Sequence, residues 1–416
     1  MPMMPDSIDA LFAFAAAAAI AWLLVPVAES LAWRIGAIDV PRERSLHVAP
    51  TPKLSGVAIL LAVCASGLIF LPWDNETRAI LIGAVAIAVV GIVDDVIDLP
   101  PLVKLLGQIA AAIIPVASGV TVDVFTLPFI GGVDPAANQL FELPLVGNVD
   151  LGELGTVVGI VAMANVVNLI DGVDGLAAGV CLISAATLAA VALSLDRNPA
   201  GVLAAITAGG ALGFLRHGFP PASSFMGDTG SNLLGYLLAV AAVQGALKTN
   251  AVVALAFPML VLAVPILDTG FVIAKRLKYR RPIYEADSWH FHHRMANIGF
   301  SQRRTLAYLY GWTLVMAGVA LALRFVPYSD DRGNFDTTWT GVLIAILVLG
   351  IAASFYVIYV LEILKLRRFR QRQVAAVSAD AQPEDIDREV ERELETGRFR
   401  DPDPDTGEFD QSTPPE

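Results

Sequence analysis

Charge is scarce in this chain: Asp, Glu, Lys and Arg make up only 16% of its 416 residues, while 56% are hydrophobic. A soluble domain of this length carries nearer a quarter of its residues charged, so a purely aqueous fold is excluded. Cysteine is rarer still. Cys64 and Cys181 are the only two, each inside a long apolar run. Two isolated thiols make neither a disulfide framework nor a zinc site. Lys and Arg are missing altogether from 120–151. No basic region precedes the first apolar run, which also extends past signal-peptide length and therefore reads as a span. Nucleic acid is not among the expected partners.

What the chain has in abundance is apolar runs near the 18–20 residues a bilayer requires. Eleven can be read, at about 8–33, 55–72, 78–93, 102–119, 152–169, 176–194, 199–215, 232–247, 250–274, 305–326 and 339–364. The expected fold is therefore all-α, a polytopic membrane bundle of about eleven helices. Basic residues gather in 34–54 (Arg34, Arg42, Arg44, Lys53), in 275–304, which holds eight, and in 365–372. The positive-inside rule puts these segments in the cytoplasm, the N-terminus outside and the C-terminus inside. Residues 1–373 are expected to form the membrane domain. Residues 374–416 hold 14 acidic and 4 basic residues and account for most of the net charge of −12. That stretch is expected to be a disordered cytoplasmic tail.

The polar residues that interrupt the runs are concentrated. Asn165-Val-Val-Asn-Leu-Ile-Asp-Gly-Val-Asp-Gly-Leu176 closes the fifth run with two amides and two carboxylates. Asn165, Asn168 and Asp171 lie three apart, on roughly one helical face. Gly172 and Gly175 then break the helix. Oxygen ligands of this kind suit Mg2+, with Mn2+ as a substitute, and such ions work with phosphates. Gly91-Ile-Val-Asp-Asp-Val-Ile-Asp98 closes the third run, and Lys104 opens the next. Asp94 and Asp95 point about 100° apart on a helix, so they share one ion only if the helix ends near them. A close carboxylate pair can hold a metal or supply a base.

Phe225-Met-Gly-Asp-Thr-Gly-Ser231 opens the eighth run. Asp228 suits a single-carboxylate Mg2+ ligand, Gly227 and Gly230 permit close backbone approach to a phosphate, and Ser231 and Asn232 can cap a helix. His290-Phe-His-His-Arg294 lies in the largest basic loop and fits a cationic pocket for a diphosphate better than a zinc site. Arg44, His47 and Lys53 either anchor the first basic loop or cover an anionic substrate. The 120–151 segment, with Val122, Val124, Phe125 and Leu127 alternating with turn residues, is expected to form a short external β-hairpin.

These four motifs, in this order and on one predicted face, resemble those of the polyprenyl-phosphate N-acetylhexosamine-1-phosphate transferases over about 44–294. The resemblance implies a helix bundle in a bacterial inner membrane, with a cytoplasmic active-site cleft. The implied reaction joins UDP-N-acetylglucosamine and polyprenyl phosphate into GlcNAc-diphospho-polyprenol and UMP. It implies that Asp228 holds Mg2+ with Asn168 beside it, and that Asp94 or Asp95 deprotonates or orients the lipid phosphate. It further implies that Asp171 and Asp174 line the nucleotide pocket, with Phe225 on the uracil. Lys104, His290, His292, His293 and Arg294 would hold the diphosphate and sugar, with His292 and Asp171 counted among the catalytic groups beside Asp94 and Asp95. A homodimer is the assembly open to such a chain. Two departures touch the nucleotide contacts: Ser55-Gly56 replaces Gly-Gly, and Gly218 stands where the pattern often has Asn.

The form His290-x-His-His-Arg294 looks like the branch that uses UDP-GlcNAc, and less like the phospho-N-acetylmuramoyl-pentapeptide transferases. A cation-coupled transporter is the rival from another class, yet its acids belong at mid-membrane rather than at span ends. A transferase acting on CDP-alcohols expects an Arg that Asp174-Gly-Leu-Ala-Ala-Gly179 lacks. Truncation after Arg372 is expected to leave turnover intact, because the removed stretch has no core-forming pattern. Comparing specific activities of the two purified chains checks this.

Overall fold

The computed structural model describes residues 7–41, 49–121, 125–127, 131–133, 139–143, 147–246, 266–267, 269–270, 273, 300–328, 336–359, 371, 387–388 and 390. Ten helices are placed among them: α1 (Ser7–Ile35), α2 (Gly56–Phe70), α3 (Asn75–Ile97), α4 (Pro101–Val116), α5 (Leu151–Ile170), α6 (Leu176–Ser194), α7 (Asn198–Gly218), α8 (Gly227–Ala246), α9 (Gln302–Phe325) and α10 (Thr337–Tyr359). Each coincides with one of the apolar runs; the run at 250–274 lies largely outside the described residues. Seven (α1, α3, α5, α6, α7, α9 and α10) are long and apolar enough to cross a bilayer. Helices α2 and α4 are shorter, at 15 and 16 residues. Helix α8 is not among the seven, because Asp228, Thr229, Ser231 and Asn232 make its first turns polar.

The helix ends follow local chemistry. Asp74 caps α3 by accepting from the Thr77 amide at 2.8 Å. Asp150 and Glu153 form a reciprocal capping box at the start of α5, with bonds of 2.8 and 3.1 Å. Pro101 occupies the first turn of α4, where its missing N–H costs nothing. Short antiparallel strands join some helices: β1 (Ile38–Asp39) with β2 (Thr51–Pro52), β3 (Phe125–Leu127) with β4 (Gly131–Val133), and β5 (Gln139–Leu143) with β6 (Gly147–Asp150). The 120–151 segment thus carries two antiparallel pairs where alternation predicts one.

The chain divides into two compact units, one of residues 1–269 and 306–347, the other of 270–305 and 348–416. In the second, the described residues are chiefly the first turn of α9 and the later part of α10. The first is built around α8. Leu233, Leu234, Tyr236, Leu237, Leu238 and Val240 are fully buried, and α8 packs against α2, α3, α5, α6 and α7. Small residues let these backbones approach, as in other membrane bundles. Gly83 of α3 faces the Tyr236 hydroxyl, which donates to the Ile80 carbonyl at 3.0 Å. Gly209 and Gly213 of α7 seat the Phe14 and Ala18 carbonyls of α1. Apolar residues such as Phe12, Leu23, Leu68, Ile82, Leu349 and Phe355 face outward. Such a surface suits lipid, and with the seven long helices makes this a multi-pass membrane protein.

Packing at Gly235 yields a prediction. A Cβ there would lie 2.6 Å from the Ala164 Cα and the Met163 carbonyl oxygen of α5. Gly235→Ala is therefore expected to cost about 1–3 kcal/mol, the usual penalty of overpacking. Gly159→Ala, where a Cβ meets nothing within 4 Å, should leave stability level or slightly raised. Thermal unfolding of the two variants in one detergent separates them.

Candidate active site

The ends of α3 and α5 and the starts of α4 and α8 meet at one end of the first unit. Helix α3 runs to Ile97 and turns at Asp98, in the left-handed region at φ 51°. The turn brings Lys104, in the first turn of α4, back against α3. The Lys104 ammonium lies 2.9 Å from Asp94 Oδ2, donates to Asn168 Oδ1 at 3.3 Å and pairs with Asp228. Asn168 donates from Nδ2 to Asp228 Oδ1 at 2.7 Å and to Ser231 Oγ at 2.9 Å. Asp94 Oδ1 also accepts the Leu99 amide at 2.7 Å. One cation, from α4, is thus shared by two carboxylates and an amide oxygen drawn from three other helices. With side-chain exposures of 12–29%, these three charged groups are screened from water yet reachable.

Asp95 does something different from its neighbour. Its carboxylate is buried and accepts the Asp228 and Thr229 amides, both at 3.0 Å, and the Thr229 hydroxyl at 2.7 Å. It thereby supplies, from α3, the N-terminal cap of α8, where orphan amides and the helix dipole favour an anion. Close approach is needed for this. Gly227 has φ +64°, and a Cβ there would meet the Asp95 carboxylate at 2.5 Å. Gly91 admits the Thr229 backbone in the same way. Gly227 and Gly230 therefore pack against Asp95 and Gly56 rather than stand open for a phosphate.

Two loops complete the rim. The 52–56 backbone pairs with 225–226: Phe225 N donates to the Pro52 carbonyl at 2.8 Å, Ser55 N to Phe225 O at 3.2 Å and Gly56 N to Met226 O at 3.0 Å. The Ser55 and Ser224 hydroxyls bond each other at 2.5 Å, and Ser224 Oγ also donates to Pro52 O. Ser55 thus has a structural use at its departure from the resembled pattern. Asp174 Oδ2 accepts the Ala222 amide at 3.1 Å, tying the 171–175 loop to the segment that carries half-buried Phe225. A cleft of ≈ 570 Å³ lined by Arg216, His217, Phe219 and Ser223 opens at this end of α7. Burial holds the Asp171 carboxyl well above the usual carboxylate range, and the charges of Asp228, Asp95 and Asp174 raise it further.

The structure brings together Asp94, Asp95, Lys104, Asn168 and Asp228, with Asp171, Asp174 and Phe225 on the adjoining loops. Arg44, His47, His290, His292, His293 and Arg294 lie outside the described residues. Ser231 and Asn232 do not cap α8, which begins at Gly227. They sit in its first turns and donate to the Gly227 and Asp228 carbonyls at 2.9 and 2.8 Å. Thr229, which holds Asp95, and Gln108, below Lys104, escape a reading of motifs. A lone Gln four residues after the only Lys of an apolar helix was the available signal.

The glycosyl transferase family 4 profile matches residues 77–246, which hold Asp94, Asp95, Lys104, Asn168, Asp171, Asp174, Phe225 and Asp228. Over 308 residues the chain is 36% identical to a probable undecaprenyl-phosphate N-acetylglucosaminyl 1-phosphate transferase of Bacillus subtilis, covering 72% of this chain and 81% of the relative. It is 34% identical over 372 residues to a decaprenyl-phosphate N-acetylglucosaminephosphotransferase of Mycobacterium tuberculosis H37Rv, covering 81% and 86%. A phospho-N-acetylmuramoyl-pentapeptide-transferase of Desulforudis audaxviator is 32% identical over 305 residues, covering 67% and 86%.

The raised Asp171 carboxyl sets a pH dependence. The folded state holds this proton more tightly than the unfolded chain does. Its contribution is thus most favourable at the lowest pH and is lost as pH rises from about 4, the ordinary Asp value, toward the raised folded value. In chelator, Asp171→Asn is expected to unfold at a higher temperature than the parent chain near neutral pH. The gap should narrow toward pH 5. Melting curves across pH 5–8 test the sign, and a parent chain that melts higher throughout would contradict it.

Proposed function

The chain belongs to glycosyl transferase family 4, and on that premise we propose that it transfers GlcNAc-1-phosphate from UDP-GlcNAc to polyprenyl phosphate. The products are GlcNAc-diphospho-polyprenol and UMP, a lipid-linked sugar that starts a cell-envelope polysaccharide. The observation that carries this is the shared ion cluster of Lys104, Asp94, Asn168 and Asp228 at the ends of four helices. A membrane-borne acceptor and a water-borne donor can meet only at such a place.

The donor set suits Mg2+. Asp228, Asn168 and Asp94 offer hard oxygens only. Mg2+ is usually held by one or two carboxylates together with substrate phosphates. Bound there, Mg2+ would neutralise charge on the diphosphate and on departing UMP.

The chain's own residues do the rest. Lys104 carries positive charge to the place where two phosphates approach, offsetting their repulsion. Asp94, half-buried and held by Lys104 and the Leu99 amide, takes or orients the proton of the lipid phosphate. A lipid phosphate oxygen then bonds to the sugar-bearing phosphorus, and the bond from that phosphorus to the UMP oxygen breaks. Direct attack is favoured, because Asp94, Asp95 and Asp228 are each already held by partners and the acceptor is itself a nucleophile. Asp95 positions α8. Asp171, Asp174 and Phe225 receive the nucleotide, and Arg44, His47, His290, His292, His293 and Arg294 clamp the diphosphate and sugar.

The second reading is a phospho-N-acetylmuramoyl-pentapeptide transferase, supported by the match to such a relative at 32% identity. The GlcNAc-phosphate transferases match at 34–36%. The basic segments argue for a cytoplasmic site and C-terminus and an external N-terminus, with β3–β6 outside.

Purified protein should release UMP from UDP-GlcNAc only with polyprenyl phosphate and a divalent ion, at a higher rate than from any other UDP-sugar in a panel. Asp228→Asn should lower kcat by about two orders of magnitude or more, as loss of a group acting on developing charge does. Release from UDP-N-acetylmuramoyl-pentapeptide alone would favour the second reading. Ion-coupled uptake surviving Asp228→Asn, without UMP release, would point to a transporter.

A further inference from the structure

One helical turn deeper than the ion cluster, three of its four helices, α4, α5 and α8, present a second polar layer. Gln108 follows Lys104 by four residues on α4, Asn165 precedes Asn168 by three on α5, and Asn232 follows Asp228 by four on α8. Their side-chain amides close on one another. Asn165 Nδ2 donates to Gln108 Oε1 at 2.7 Å, and Gln108 Nε2 donates to Asn232 Oδ1 at 3.0 Å and to Asn165 Oδ1 at 3.4 Å. The remaining donors go to backbone. Asn165 reaches the Val161 carbonyl and Asn232 the Asp228 carbonyl, both at 2.8 Å. Gln108 is 1% exposed and Asn232 0%.

Two buried amides and a partly buried third cost free energy that apolar side chains would not. They impose a condition in return. The bonds are made at a single relative height of the three helices, and a slip of one residue along any of them breaks the set. Buried polar groups that specify register in this way are known from helical assemblies. Here Gln108 is the member that touches both others. Its two partners connect to the ion cluster, Asn232 through the Asp228 carbonyl and Asn165 through the last turn of α5.

We propose that Gln108 is a positioning residue, which holds α4, α5 and α8 at the register where Lys104, Asn168 and Asp228 meet. Gln108 does not touch the reacting groups, and its part in turnover rests on the function proposed above. Gln108→Met keeps length and bulk but removes the amide. Gln108→Glu, protonated in such surroundings, can still donate to Asn232 and accept from Asn165.

The test uses the full chain in lipid nanodiscs, following UMP release from UDP-GlcNAc with undecaprenyl phosphate and, separately, Mn2+ binding by electron paramagnetic resonance. Gln108→Met is expected to lower kcat at least about tenfold with KM for either substrate within about twofold, since small misplacements cost that much. It should also weaken Mn2+ binding several-fold, and Gln108→Glu should recover most of both. A Gln108→Met protein with kcat and Mn2+ affinity within twofold of the parent overturns the proposal, as does a Gln108→Glu protein no better than Gln108→Met. If Gln108→Met does not fold, Gln108→Asn, too short to bridge both partners, takes its place under the same criteria. A parent chain that releases no UMP refutes the function instead, and the Mn2+ isotherms then decide the positioning role alone.

Discussion

A polar helix end inside an apolar bundle must be satisfied from outside itself, and α8 is such a helix. Its first amides have no partners within the helix, and Thr229 is buried. Asp95 of α3 supplies two backbone bonds and a third to Thr229. A carboxylate there also answers the positive end of the helix dipole. Because Asp95 takes the backbone of the turn, the side chains of Asp228 and Ser231 remain available to α4 and α5. The ion cluster follows from this seating.

The same constraint accounts for the small residues. A carboxylate reaches the first amides of α8 only if α3 and α8 nearly touch, hence Gly91 against Thr229 and Gly227 against Asp95. Further along α8, Gly83 and Gly235 let Tyr236 and the α5 backbone close in. Lipid supplies no hydrophobic force between helices, so such close contact and interhelical hydrogen bonds carry the association. Polar groups line up along α8 in layers. Charge lies at the end, the amides of Gln108, Asn165 and Asn232 one turn in, and the Tyr236 hydroxyl beyond them.

Legibility in the sequence varied by residue for physical reasons. Asp94, Asn168 and Asp228 stood out because a charged or amide group at the end of an apolar run has few innocent explanations. Asp94 and Asp95 looked like a pair, but adjacent residues on a helix diverge, and one turned to Lys104 while the other capped α8. Ser231 and Asn232 looked like caps because Gly227 and Gly230 resembled a loop. With Asp95 capping from α3, the helix begins four residues earlier. Gln108 carries no such mark, since a single Gln in an apolar helix has no local partner to reveal it.

Composition and run length alone determined that the chain lives in a bilayer, roughly where each helix lies, and which few polar residues needed a purpose. These are local properties, set by the energetic cost of bare backbone and charge in hydrocarbon. Which carboxylate takes the backbone and which takes the cation was decided only in three dimensions. So was the register of α4, α5 and α8. The register rests on partners 57 and 124 residues apart and the Asp95 cap on partners 133 and 134 apart, and no local pattern encodes a contact between groups that only folding brings together.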